Sequence, residues 1–388
     1  TMNKIGKGTG KNVQKYLSQA KKLMGNCQTA VPAWIMPINK ALETMDCNKN
    51  HFDIVIIDES SQSDISAMAI LFFAEKAIIV GDNEQVSPSA VGADNDRINQ
   101  LTGNLKEILP FSYHLYDLKT SLYDIMMAFS STTMLKEHFR CVPEIIGYSN
   151  NLCYNNRIKP LREGSRVPIK PATVVYQVDG ERTKSKTNAK EAQAIAALIQ
   201  ACIEQPEYRD MTFGVISMLG EKQAETIERI LINSIDRKDY KKHRILCGNA
   251  AHFQGDERDV MFLSFVDSNE GEGPIRIQGD GANKSTKQRY NVAVSRACNQ
   301  VWAVNSLDTE NDLKTGDLRK DLIEYLANPH KAMQNDIKIQ KNSESDFELR
   351  VCRELSKQGY NFKQQSEAGS YRIDIVVLCE DRRIAIEC

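Results

Sequence analysis

The sequence predicts an α/β protein with a doubly wound parallel sheet, repeated in two successive units. Three observations carry that reading. Phe52-Asp53-Ile54-Val55-Ile56-Ile57 and Ala77-Ile78-Ile79-Val80 are short, nearly continuous β-branched runs that stop at Asp58-Glu59 and Gly81-Asp82. Such runs suit parallel strands covered on both faces, and the carboxyl ends of those strands are where ligands sit. The same pattern restarts near Thr173, after Pro160, Pro168 and Pro171 cluster in a stretch that neither helix nor central strand tolerates.

In chain order, residues 1–22 carry six lysines and no acid. A like-charge run of this kind is a solvated helix face or a contact to phosphates. The strands at 52–57 and 77–80 follow. In the second unit, strands are predicted at Thr173–Val178, Thr212–Ser217, Val260–Val266 and Gln300–Val304, with helices at Glu191–Ile203 and Glu221–Ile232 between them. A polar stretch near 328–344 reads as a linker. Beyond it come an amphipathic helix over Ser345–Gln358 and strands near Tyr371–Leu378 and Arg383–Glu387, a third and smaller α/β unit.

Composition narrows the function classes. The chain has 388 residues, 50 Lys+Arg against 51 Asp+Glu, 41% hydrophobic and 26% charged residues. This is a globular composition that excludes collagen-like, disordered and small disulfide-framework classes. The balanced charge means that any nucleic-acid contact must come from local patches. Ten cysteines are scattered with no Cys-x-x-Cys pair, so free thiols in a reducing cytoplasm are expected, and no zinc site. The longest apolar run, around Ile65–Ala74, is far short of the ~18 residues of a membrane helix.

A strand followed by Asp58-Glu59 has the form of a Walker B element. The Asp can hold Mg²⁺ through water, and the Glu can polarise a water for attack on a γ-phosphate. The pair stands in company. Asp58-Glu59-Ser60-Ser61-Gln62 precedes Gly81-Asp82-Asn83-Glu84-Gln85-Val86-Ser87-Pro88. Then come Glu137-His138-Phe139-Arg140-Cys141-Val142-Pro143, Ala251-His252-Phe253-Gln254-Gly255-Asp256-Glu257-Arg258-Asp259 and Asn291-Val292-Ala293-Val294-Ser295-Arg296-Ala297. In this order the five segments resemble motifs II to VI of superfamily 1 helicases, in the 1B branch that holds the nonsense-mediated-decay helicase and the replication helicase–nuclease.

The resemblance implies two RecA-like P-loop NTPase lobes, at 1–165 and 166–328, closing around Mg-ATP. Asp58 and Glu59 would be catalytic, Asp58 holding Mg²⁺ through water. Gln85 would sense the γ-phosphate. Arg140 and Arg296 would act as arginine fingers, for which an always-charged planar guanidinium is suited. Gln254, Gly255 and Glu257 would contact nucleotide, with Gly255 allowing close backbone approach. Gln223 falls where the family touches nucleic acid, and serves equally as a polar residue at a helix start. Lys11 and Lys15 are the candidate phosphate contacts of the amino-terminal run. Ser60, Ser87, Phe139 and Cys141-Val142 depart from the usual motif residues without removing a charged group.

The family's phosphate-binding loop is not matched. Gly6-Lys7-Gly8-Thr9-Gly10-Lys11-Asn12 is one residue short between glycines, has Asn12 for Ser/Thr and follows no strand. The loop is therefore expected upstream of this chain, which alone would hydrolyse little or no ATP. After a linker at 329–343, residues 344–388 resemble the restriction-endonuclease-like PD-(D/E)xK fold near very-short-patch-repair endonucleases, truncated at Cys388. There Glu348, Asp374 and Glu387 would converge on a metal, Asp374 and Glu387 as ligands, and activate water for phosphodiester cleavage. The resulting expectation is an ATP-dependent translocase on single-stranded nucleic acid, with DNA favoured and ATP and Mg²⁺ as cofactors. The alternatives are a non-catalytic helicase-like scaffold, or a nuclease whose helicase part only positions DNA.

Overall fold

The computed structural model describes residues 30–46, 51–86, 120–164, 167–269, 275–279, 284–329, 360–368, 371–379 and 382–388, with isolated residues and pairs before and between these stretches. The chain divides into two compact units, Thr1–Thr133 and Met134–Cys388. This places residues 134–165 with the second unit, where the sequence assigned them to the first. The cause is hydrogen bonding: Val142 N donates to Cys298 O at 3.1 Å, Cys141 Sγ to Ser295 O at 3.3 Å and Asn291 Nδ2 to Tyr154 Oη at 2.8 Å. The proline cluster marks loops inside that unit, not its boundary.

In the first unit, helix α1 (Ile38–Thr44) precedes strand β1 (Phe52–Ile57), and β1 pairs in parallel with β2 (Ala74–Ile79). The crossover is made of two 3₁₀ segments, Ser60–Gln62 and Ile65–Phe73, the second opened by Asp64 accepting from Ser66 N. Helix α2 (Leu122–Met127) starts with a reciprocal cap between Ser121 and Asp124. One sheet face buries Ile57 among Ala41, Met45, Ala67, Ile70, Phe73 and Leu122, with Phe52 and Val55 packed against them. Among the described residues nothing covers the other face: Ile54 is 51% exposed and Ile56 65%.

In the second unit, strands β3 (Glu137–His138) and β4 (Lys159–Pro160) flank helix α3 (Pro143–Tyr154). The main sheet contains β5 (Thr173–Gln177), β6 (Phe213–Ser217), β7 (Leu246–Gly248), β8 (Arg258–Ser268) and β9 (Ala297–Ser306). Its order is β5-β9-β8-β6-β7 and every pairing is parallel. Helices α4 (Ala189–Ile203) and α5 (Lys222–Ser234) pack together, and α4 lies on β8 and β9. The short α6 (Arg237–Lys242) leads into β7. Helix α7 (Lys284–Ser295) packs on α3, and α8 (Leu318–Ala327) on α3 and β5. Strand β6 is buried at every residue and β8 at all but one, so both faces of the sheet are covered, as the β-branched runs predict.

The linker at 329–343 lies outside the described residues apart from its first position. Beyond it, strands β10 (Asn361–Ala368), β11 (Tyr371–Leu378) and β12 (Arg383–Ile386) form an antiparallel sheet around Cys352, Phe362, Ile375 and Val377. Strand β10 is absent from the sequence expectation because its run is polar, with Phe362 its one residue in that core. No described helix is long and apolar enough to cross a membrane.

Candidate functional site

Asp58 and Glu59 leave the carboxyl end of β1. Glu59 takes a left-handed backbone (φ 50°), and its N–H donates to Asp58 Oδ1 at 2.9 Å, so the turn presents two adjacent carboxylates. Gln62 Nε2 donates to Glu59 Oε2 at 3.1 Å. Ser60 ties this turn to the end of β2, its N–H and hydroxyl both donating to Val80 O, at 2.9 and 2.6 Å. Gly81 follows directly. A Cβ there would lie 2.8 Å from Ser60 Oγ and 2.8 Å from Tyr123 Cδ2, so only glycine fits without displacement. Gln85 folds back on the same edge, its Nε2 donating to Asp82 Oδ2 at 2.9 Å. Three of the expected catalytic residues thus share the carboxyl edge of one small sheet.

In the second unit, Arg140 and Arg296 lie at the amino-terminal edge of β8 and β9. Arg140 Nε donates to Glu257 Oε2 at 2.6 Å, with both side chains partly exposed. A pair so exposed adds little stability and serves chiefly to orient the guanidinium. Arg296 stands at the junction of α7 and β9, is 1% exposed, and reaches the Asp256 carbonyl at 3.5 Å. Gly255 takes φ 80° between them, in the open turn from Phe253 to β8, with Gln254 beside it half-buried. Asp256 is held below the ordinary aspartate range by its hydrogen bond from Arg258.

Two residues of this cluster were not singled out in the sequence. Arg162 donates to the carbonyls of Arg140 and Cys298 and to Asn299 Oδ1. It therefore joins the segment carrying Arg140 to the strand that begins just after Arg296. Its one sequence signal is closeness to Pro160, which reads as a boundary. His138 Nε2 accepts from Cys141 N at 2.9 Å. Burial, reinforced by the Arg140 charge, lowers the His138 pKa to about 4 and keeps the imidazole neutral. Burial pushes the Cys141 thiol well above its usual range, against the pull of Arg140, Arg296 and Arg162.

Gln223 does not face a nucleic-acid surface. It is fully buried, its amide spent on the backbone of Asn188 and on Ser264 Oγ, so it holds structure rather than ligand. Lys15 is an exposed helical residue, and Lys11 lies outside the described residues. In the tail, Gln365 Nε2 lies 3.2 Å from Glu348 Oε1 and 3.4 Å from Asp374 Oδ1, and Cys388 N donates to Asp374 Oδ2 at 2.7 Å. Glu348 is buried and Glu387 exposed. Burial raises the Cys388 thiol, and the charges of Asp374, Glu348 and Glu387 raise it further. Among the described residues, no group of three or more His, Cys, Asp or Glu is placed to hold a metal ion.

Comparison with known proteins agrees with the arginine-bearing unit. Residues 118–308 match the family model AAA_12, described as an AAA domain. An uncharacterized ATP-dependent helicase, MG140 of Mycoplasma genitalium, is 27% identical over 334 residues, covering 81% of this chain and 28% of that protein. Over most of its length the chain is thus similar to proteins named as helicases. The mouse 5′-3′ DNA helicase ZGRF1 is 27% identical over 67% of this chain and 13% of its own length. The mouse DNA-binding protein SMUBP-2 is 24% identical over 68% of this chain and 26% of its own length. The chain spans less than a third of the length of these curated relatives.

Proposed function

We propose that this chain is part of an ATP-dependent superfamily 1B helicase that couples ATP hydrolysis to movement along single-stranded nucleic acid. DNA is the favoured track, since relatives are named as a DNA helicase and a DNA-binding protein. The observation that carries the reading is the cluster of Arg140, Glu257, Arg162 and Arg296 at one sheet edge, within a stretch matched by helicase relatives. Arg140 would donate to phosphoryl oxygens as charge builds on them, Glu257 and Arg162 would hold it in place, and the buried Arg296 would brace the Asp256 turn at the same edge.

The residues at the ends of β1 and β2 suit a hydrated Mg²⁺ bound to ATP. Asp58 and Glu59 are hard oxygen donors at a strand tip, and the buried Ser61 hydroxyl has no hydrogen-bond partner among the described residues. Bound Mg²⁺ would neutralise phosphate charge. Asp58 would hold it through water, and Glu59 would take the proton of the attacking water.

The test is ATP turnover, with and without oligo-dT, in a protein carrying this chain behind a phosphate-binding loop. Glu59→Gln lowers stimulated turnover at least a hundredfold while nucleotide still binds, as expected when a general base is removed. Unchanged turnover would leave the non-catalytic scaffold as the better reading. The gathering of Glu348, Gln365 and Asp374 supports an additional nuclease-like role for the tail. Metal-dependent nicking by a carboxyl-terminally extended protein, lost in Asp374→Ala, is its check.

A further inference from the structure

The antiparallel sheet of β10, β11 and β12 has two unlike faces. Paired residues share a face, and the next pair along the strands takes the other. The pairs Phe362–Val377 and Gln364–Ile375 belong to the core side, where Phe362, Ile375 and Val377 pack with Cys352. The alternate residues make rows on the opposite side. Asn361, Leu378 and Arg383 form one row, and Lys363, Val376 and Ala385 the next. Gln365 and Asp374 meet at the position after that, with Gln365 Nε2 3.4 Å from Asp374 Oδ1. Polar and apolar residues thus alternate so that this second face is neither a core nor an ordinary charged surface.

A cavity of about 680 Å³ lies on the first two rows, and Lys159 of β4 lines it as well. Its lining brings three cations from three strands, Lys159, Lys363 and Arg383, to the apolar side chains of Val376, Leu378 and Ala385. The three cations are exposed, while Val376 and Leu378 are half-buried. Among the described residues no acid lines the cavity. The acids closest in register flank it: Glu137 is paired with Lys159 on β3, Asp374 lies two residues before Val376, and Glu387 two after Ala385. Asp374 is already engaged by Gln365 and by Cys388 N, the latter at 2.7 Å. Lys159, Lys363 and Arg383 have no ion-pair or hydrogen-bond partner for their side chains among the described residues. Like charges gathered around one hollow repel, and an anion placed there relieves the repulsion. The volume is that of a small-ligand site.

We propose that this cavity binds a phosphate-bearing ligand of nucleotide size. The phosphate lies among Lys159, Lys363 and Arg383: a guanidinium can donate two parallel bonds to it, and the lysines add point charge. The less polar part of the ligand rests on Val376, Leu378 and Ala385. Such a unit has two sources, a free nucleotide or one residue of a nucleic-acid strand, and both present the same chemistry. The site uses none of the residues of the arginine edge or of the acidic turn after β1, and it stands without the helicase reading.

The test is isothermal titration calorimetry of the chain with dTMP, thymidine and dT20, in EDTA so that metal-dependent binding elsewhere is removed. The wild type binds dTMP and not thymidine, which lacks the phosphate. Lys363→Ala/Arg383→Ala weakens binding at least about tenfold, as expected for the loss of two charge-assisted hydrogen bonds. Ala385→Trp fills the hollow while leaving every charge in place, and weakens binding as well. Lys363→Arg keeps the charge and retains binding. All these side chains are exposed, so an unchanged thermal melt separates lost binding from lost fold. Losses on both dTMP and dT20 show that the cavity takes the unit from either source. Losses on dT20, with no wild-type binding of dTMP, assign it to a strand, and losses on dTMP alone to a free nucleotide. Wild-type affinity in both the double variant and Ala385→Trp, or no wild-type binding of either ligand, overturns the site. Neither result touches the helicase reading, which is tested by ATP turnover.

Discussion

The chain contains two parallel sheets written in the same β-branched vocabulary, and they are covered differently. Val260, Phe262, Leu263 and their neighbours in β8 are fully enclosed. In β1, Val55 and Ile57 face a core while Ile54 and Ile56 stand more than half exposed. A continuous apolar run therefore specifies a strand and its parallel partner, but the number of layers packed on it depends on elements elsewhere in the sequence. The same contrast applies to the sites. The arginine edge is braced by a covered sheet, whereas the acidic edge of β1 and β2 depends on one turn and one glycine.

Four measurements would break or sharpen this comparison. The largest effect is expected in the covered sheet: Phe262→Ala, which removes a ring stacked on Trp302 at 5.6 Å, should cost about 3–5 kcal/mol in denaturant unfolding. Gly81→Ala should cost about 1–3 kcal/mol in the first unit, because its methyl meets Ser60 and Tyr123. A loss below ~0.5 kcal/mol would show that this turn yields easily.

The third measurement is pH dependence of the second unit. Burial pushes Glu191 up to about 8 from its ordinary 4.5. Its contribution to stability is full below about 4.5 and is lost as pH rises towards 8, so Glu191→Gln should flatten a decline across that window. His138, lowered to about 4 from 6.5, acts oppositely, its contribution being full above 6.5 and lost as pH falls towards 4. Thermal melts of wild type, Glu191→Gln and His138→Gln would separate the two limbs. The smallest effect belongs to the open face: Ile56→Ser should change stability by no more than ~0.5 kcal/mol. A loss above 2 kcal/mol would mean that this face is packed in solution.

Much of the fold was legible because the runs at 52–57, 173–178, 260–266 and 300–304 are β-branched and end at turns, and each is a strand in the structure. Strand β7 is three residues long and β10 is polar, so neither carries a periodic signal. The unit boundary was misplaced because prolines mark any chain reversal, and here the reversals lie inside a unit. At the sites, Asp58 and Glu59 stand at the strand tip and Arg140 at a sheet edge. For Gln223 the sequence left two readings open, because a polar residue after a strand tip reads alike whether it faces solvent or satisfies buried backbone; in the structure it does the second. Arg162 was missed because its partners, Arg140 O and Cys298 O, are main-chain atoms from distant positions, and residue patterning leaves no trace of such bonds.

Val266 has a backbone consequence of its own. Its φ of 70° is unfavourable for a β-branched side chain, and it occurs where β8 slips register between Ser264 and Ser268. The Val266 amide is held there by Glu191. The two positions should therefore vary together across orthologues: lineages that lose the acid at 191 should place glycine or asparagine at 266, and a Val266→Gly protein should tolerate losing the acid better than the parent does.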